Sequence, residues 1–274
     1  MTKSENFKRV IVAVLGIPII LIASYFGGYY FFFFVAVISL LAFYEFSLLV
    51  KNKGSNINLP LGSLIIFILL LNNFENFIEL EILILLSSLS LLTVELFRNK
   101  GSAINNLGST FLGIFYIGIF AASLISLREL NFTSEGPNNN GAFLIISILA
   151  SIWIGDSAAY YGGTAFGRHK LFPRVSPKKS WEGAIFGFIF SVGALILAKV
   201  IVLNFFSWVN ILVIGIIIGI FGQIGDLVES LLKRDSEVKD SSTLIPGHGG
   251  FLDRFDSLLF SAPLILIYLK YFVE

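Results

Sequence analysis

The sequence predicts an all-α integral membrane protein with about nine transmembrane helices and a cytoplasmic N-terminus. Three observations carry this. Hydrophobic residues make up 56% of the 274 positions and charged residues only 14%, against roughly 25% charged in soluble domains. Mean hydropathy is +0.86. The apolar residues fall into runs of membrane-spanning length, where a helix needs about 20.

Taken in order, the expected spans are 8–26, 29–50, 57–73, 78–97, 103–127, 142–164, 181–203, 207–233 and 254–273. The apolar run of the first follows the basic Lys3, Lys8 and Arg9, as in a signal peptide, but no Ala-x-Ala-like site ends it, so it reads as the first membrane helix. The third is the shortest. A turn around Asn204 separates the seventh from the eighth. The whole is expected to be one polytopic membrane domain, 1–274. Its helices over 1–140 read as a scaffold and those over 141–274 as the carriers of the site. No sequence repeat suggests an inverted-repeat transporter.

Charge supports this topology. With nine spans and the N-terminus inside, all but three of the 19 Lys and Arg residues fall in or beside cytoplasmic segments. The exceptions are Arg128, Lys199 and Lys270. This is the bias of the positive-inside rule, and no other parity of spans reproduces it. Net charge is +1 and points to no partner. The absence of cysteine excludes disulfides, thiolate metal sites and cysteine nucleophiles.

Chemistry concentrates in the second half. On the eighth span Asp226, Glu229, Ser230 and Lys233 share one helical face. Gly215, Gly219 and Gly222 continue that stripe and permit close backbone approach. An ionisable residue inside a span is a functional candidate by default; mere pairing with a basic residue of a neighbouring helix is the alternative, and the polar face running straight into the charged loop speaks against it. The loop that follows carries Lys233, Arg234, Lys239 and Asp240, then Pro246 and His248 among Gly247, Gly249 and Gly250. Glycines permit tight turns whose N–H groups suit phosphate oxygens. Asp253 and Asp256 lie one turn apart beside Arg254. Carboxylates without sulfur ligands suit a hard cation such as Mg²⁺, held by Asp226, Asp253 or Asp256 with substrate phosphates.

Two upstream runs add to this. In SPKKSWEG, Lys178 and Lys179 suit polyphosphate or an anionic headgroup, and Ser180 suits the cap of the seventh helix. The same lysines also serve as a plain positive-inside anchor. In GDSAAYYGGTAFGRHK, Asp156, Tyr160, Gly163 and Gly167 follow one stripe. Asp156 reads as a further metal or proton group, or as a structural partner of a cation. His169 reads as a surface residue. Glu45, a lone acid in the second span, reads as a structural pair or a snorkelling side chain.

The run from Ser230 through Lys233, Arg234, Lys239, Asp240, Pro246, His248, Gly249, Gly250, Asp253, Arg254 and Asp256 resembles the signature of the phosphatidate cytidylyltransferases (CDP-diacylglycerol synthases). SPKKSWEG and GDSAAYYGG…GRHK are similar to that family's upstream blocks. Ser180 stands where threonine is common, and the hydroxyl is kept. The resemblance covers about the C-terminal 45% of the chain, a share counted from these motif positions.

The resemblance implies that CTP and phosphatidic acid give CDP-diacylglycerol and pyrophosphate, with Mg²⁺ as cofactor and a second, monovalent cation left open. It implies Asp226, Asp253 and Lys233 as catalytic residues. Lys178, Lys179, Ser180, Glu182, Ser230, Arg234, Lys239, Asp240, His248, Gly249, Gly250 and Arg254 would bind substrate. It also implies a multi-pass homodimer in a bacterial-type inner membrane, with the site on the cytoplasmic face and no nucleic-acid partner. Two other readings compete: a CTP-dependent polyprenol or lipid kinase, and a cation or solute transporter relaying through Asp156 and Asp226.

Overall fold

The computed structural model describes residues 3–130, 139–242, 244, 245 and 249–273, with backbone alone for 3–11 and 13. The turn around His248 and most of the outer loop expected over 131–141 lie outside the described residues.

Among the described residues the chain forms nine helical rods and one hairpin. The rods are α1 (Lys3–Phe26), α2 (Gly28–Lys51), α3 (Leu59–Glu75), α4 (Leu80–Phe97), α5 (Ala103–Glu129), α6 (Asn140–Phe166), α7 (Trp181–Ile201), α8 (Trp208–Asp235) and α9 (Leu252–Phe272). A π-helical turn interrupts α5 at Ile114–Ile119 and α8 at Ile218–Gly222. Each expected span falls on one rod. Seven are long and apolar enough to cross a membrane, so the chain is a multi-pass membrane protein. Among the described residues, Val14–Phe26 of α1 and all of α3 are shorter apolar helices; the expected first span, 8–26, lies partly outside the described side chains.

The chain divides into two compact units. The first comprises Met1–Ala23, Gly28–Ser126 and Leu232–Arg254. Its core is aromatic, with Phe31, Phe32, Phe43 and Phe46 of α2 buried. Glycines let the neighbours close on these rings: a Cβ on Gly62 of α3 would strike Phe43, and one on Gly113 of α5 would strike Phe43 and Phe46. Leu85, Leu86, Leu89 and Leu92 of α4 stay exposed, as a surface facing hydrocarbon requires. Where α4 ends, buried Glu95 takes Arg98 at 2.8 Å and Asn106 at 2.6 Å, so its charge is paired.

The second unit comprises Ser24–Gly27, Leu127–Leu231 and Phe255–Glu274. Small residues zip α6 to α7: Gly155 faces Ser191, Gly187 faces Ala159, and Gly162 lies under Phe186. The Ser151 and Ser191 hydroxyls donate to each other's carbonyls at 2.9 and 3.2 Å. Lipid supplies no hydrophobic drive between helices, so close packing and hydrogen bonds must hold them. The α8 stripe works the same way: Gly215 and Gly219 admit Val192 and Phe188 of α7, and Gly225 admits Asp256 and Phe260 of α9. Arg128, one of the three basic residues that break the charge bias, is buried and donates to the carbonyls of Ser24 and Tyr25 at 2.6 and 2.9 Å. It closes the C-terminus of α1, where carbonyls lack helical partners and cations are favoured.

Between α6 and α7 the polar stretch 165–180 forms an antiparallel hairpin, β1 (Lys170–Phe172) and β2 (Ser176–Ser180). Buried Val175 anchors its turn.

Candidate active site

In the second unit the hairpin delivers Lys179 to α8, where its Nζ meets Asp226 Oδ2 at 2.5 Å. The two side chains are 29% and 36% exposed, so the pair is reachable by water. Ser230, one turn on, donates to Asp226 Oδ1 at 3.4 Å. Glu229 is fully buried on the same helix. Asp256 of α9 is 7% exposed and lies within electrostatic reach of Asp226, Asp156 and Lys179. Asp156 is exposed and lines a small cleft with Gly155, Gly187, Gln223 and Ser257. The sequence left Asp156 open between two roles; the fold brings its charge within electrostatic reach of Asp256.

The end of β2 is fixed by the helix it leads into. Ser180 Oγ accepts from Gly183 N at 3.2 Å, the cap expected of it. Gly163 and Gly167 pack against the Ser180 side chain, whereas Tyr160 points outward, 66% exposed. Glu182 accepts from the Arg168 and His169 amides at 3.1 and 3.3 Å and pairs with His169 Nδ1 at 2.7 Å. Its oxygens therefore fasten the turn before β1. His169 is exposed, as read from the sequence. Lys178 is exposed on the hairpin.

In the first unit Lys233 Nζ donates to Asp253 Oδ1 at 2.6 Å. Asp253 Oδ2 accepts from Ser241 N at 3.1 Å, Ser241 Oγ at 2.9 Å and Gly250 N at 2.8 Å. Asp253 therefore organises the loop as well as holding Lys233. Gly249 has φ +82°, a left-handed conformation that favours glycine, and Ile245 N donates to its carbonyl at 2.9 Å. A Cβ on Gly250 would collide with Ser241 Oγ and Glu45 Oε2. Lys239, Asp240 and Arg254 are exposed, and Arg234 donates to the carbonyl of Val238 at 3.0 Å.

Sequence reasoning missed the part Glu45 plays. Its Oε1 accepts from Ser242 Oγ at 2.6 Å and Phe251 N at 2.9 Å, and its Oε2 from Ser241 Oγ at 3.1 Å and Leu252 N at 2.8 Å. The available signal was an acid inside an apolar helix; its partners are about 200 residues away in sequence, which no local pattern reveals.

The donor chemistry fits a hard cation: Asp226 and Asp256 offer oxygen only, and buried Asp256 sits near other negative charge. Among the described residues no three acidic or histidine side chains converge as a ligand set. Mg²⁺ commonly takes one or two carboxylates and completes its shell with phosphate and water.

Residues 7–272 match the sequence profile of the Cytidylyltransferase family. The chain is 33% identical over 234 residues to a phosphatidate cytidylyltransferase of Bacillus subtilis, covering 83% of this chain and 84% of that protein. It is 34% identical over 255 residues to the one of Staphylococcus saprophyticus, covering 85% and 96%. Against that of Synechocystis it is 33% identical over 281 residues, covering 94% of each.

Proposed function

The chain belongs to the cytidylyltransferase family, and we propose that it transfers the cytidylyl group of CTP to phosphatidic acid, giving CDP-diacylglycerol and pyrophosphate. It is a nucleotidyltransferase embedded in a membrane. The observation that carries the geometry is the Lys179–Asp226 ion pair, a hairpin cation brought to a carboxylate of a membrane helix.

Both substrates are anions, so charge must be neutralised before they react. Lys178 and Lys179 receive the phosphatidate phosphate. Lys233, Arg234 and Lys239 receive the triphosphate, with Gly249, Gly250 and His248 shaping the loop around it. A phosphatidate oxygen attacks the α-phosphorus of CTP. The new P–O bond forms as the bond to the bridging oxygen breaks, and the electron pair leaves on pyrophosphate, where the loop cations stabilise it. The attacking oxygen is already ionised, so no strong general base is needed; positioning supplies much of the rest.

Asp226 and Asp256 would hold Mg²⁺, which when bound supplies further charge neutralisation across the phosphate oxygens. Asp253, the other carboxylate expected to hold the metal, is engaged by Lys233, Ser241 and Gly250. The exposed Asp240 and Arg254 and the buried Ser180 hydroxyl complete the polar surroundings in this reading, and Glu182 contributes by holding the hairpin turn.

The same reading sets the site on the cytoplasmic face of a bacterial-type inner membrane, which the basic helix ends support. Assembly as a homodimer rests on the family resemblance. The test is product analysis with purified protein, CTP, phosphatidic acid and Mg²⁺. Pyrophosphate released in step with CDP-diacylglycerol supports the reading; release of CDP with a phosphorylated lipid makes the protein a kinase and overturns it.

A further inference from the structure

Glu45 lies on α2 between Phe43 and Phe46, and all three are fully buried. A carboxylate in an apolar helix is costly unless its oxygens are matched by donors. Here the match comes from the far end of the chain. Each oxygen takes one serine hydroxyl and one backbone amide: Ser242 and Phe251 at Oε1, Ser241 and Leu252 at Oε2. The two amides belong to the start of α9, where N–H groups have no helical partner and negative charge is favoured. Glu45 therefore caps α9 from another helix and ties Ser241 and Ser242 to its start.

The contact extends to the site. Ser241 Oγ lies 3.1 Å from Glu45 Oε2 and 2.9 Å from Asp253 Oδ2, and Asp253 in turn holds Lys233 at 2.6 Å. Gly250 must be glycine for this, because a Cβ there would strike both Ser241 Oγ and Glu45 Oε2. Glu45 touches none of the groups assigned to reacting atoms, so any effect it has on transfer passes through the loop.

We propose that Glu45 is a positioning residue for CTP, holding Ser241, Ser242 and the start of α9 and, through Ser241 and Asp253, the ammonium of Lys233 in the arrangement that receives the triphosphate. The proposal rests on the cytidylyltransferase reading. Glutamine is a sharp probe, because both carboxylate oxygens face backbone N–H groups. Whichever way its amide is turned, its NH₂ meets another donor.

The experiment measures kcat and both KM values for full-length Glu45→Gln and Ser242→Ala in detergent, beside wild type, with unfolding midpoints as the check on folding. The expected result for Glu45→Gln is a CTP KM raised about tenfold or more, with the phosphatidate KM within about twofold, because the lost contacts serve one substrate. Ser242→Ala, which removes a single donor, raises the CTP KM by a smaller factor, on the order of threefold. Should Glu45→Gln fail to fold, Ser242→Ala decides alone. An unchanged CTP KM in the folded variants, or an equal rise in both KM values, overturns the proposal. Absence of CTP-dependent transfer in wild type instead overturns the functional reading, and the proposal with it.

Discussion

Lys233 reaches Asp253 across 2.6 Å, with the two side chains only 12% and 7% exposed. Removing one member of so enclosed a pair leaves the other charge buried without its counterpart. Asp253→Ala is therefore expected to lower stability by about 3–5 kcal/mol. Asp226→Ala breaks a wetter pair and is expected to cost no more than about 1 kcal/mol. Denaturant unfolding of both variants in one detergent measures the difference; equal losses would contradict the assignment of Asp253 as the loop's organiser.

The hairpin lysines are expected to differ. Lys179 meets Asp226, whereas Lys178 is exposed beside it. Lys179→Ala is expected to lower kcat/KM about 100-fold or more, the scale of losing one preorganised charge contact at the transition state. Lys178→Ala is expected to fall less than about tenfold, as a contact more open to water. Steady-state kinetics of the two variants provides the check.

Ser180 caps α7 through Gly183 N. Ser180→Ala is expected to cost about 1 kcal/mol of stability, and Ser180→Thr close to nothing because the hydroxyl is kept. Thermal unfolding midpoints in detergent distinguish them.

Metal dependence separates the carboxylates. Chelation with EDTA is expected to stop transfer and Mg²⁺ to restore it. Asp226→Asn and Asp256→Asn are expected to raise the Mg²⁺ concentration for half-maximal rate by about tenfold or more, since each removes a charged ligand from a site with few. A Mg²⁺ titration of each variant reads this out. An unchanged requirement in both contradicts their assignment.

Much of the fold was legible because spanning length is a local property. Every apolar run became a helix, and Ser180 behaves as its position beside Trp181 and Glu182 implied. The count of spans was less legible, because α3 holds 17 residues and length alone does not decide its fate. The hairpin escaped notice because Pro177 and paired lysines disfavour strands, and it is buried Val175 that secures its turn. The sequence grouped only candidates that lie close along the chain. The pairings Lys179–Asp226 and Glu45 with Ser241 and Leu252 were not legible, since they depend on which helices pack together.

The central claim is transfer of a cytidylyl group, and isotopic labelling tests it most directly. Purified protein is given phosphatidic acid and Mg²⁺ with CTP labelled at either the α- or the γ-phosphorus. The account predicts that α-label alone enters the lipid fraction and that Asp226→Asn sharply lowers this at the Mg²⁺ concentration that saturates wild type. Entry of the γ-label, or full incorporation by Asp226→Asn, would contradict it.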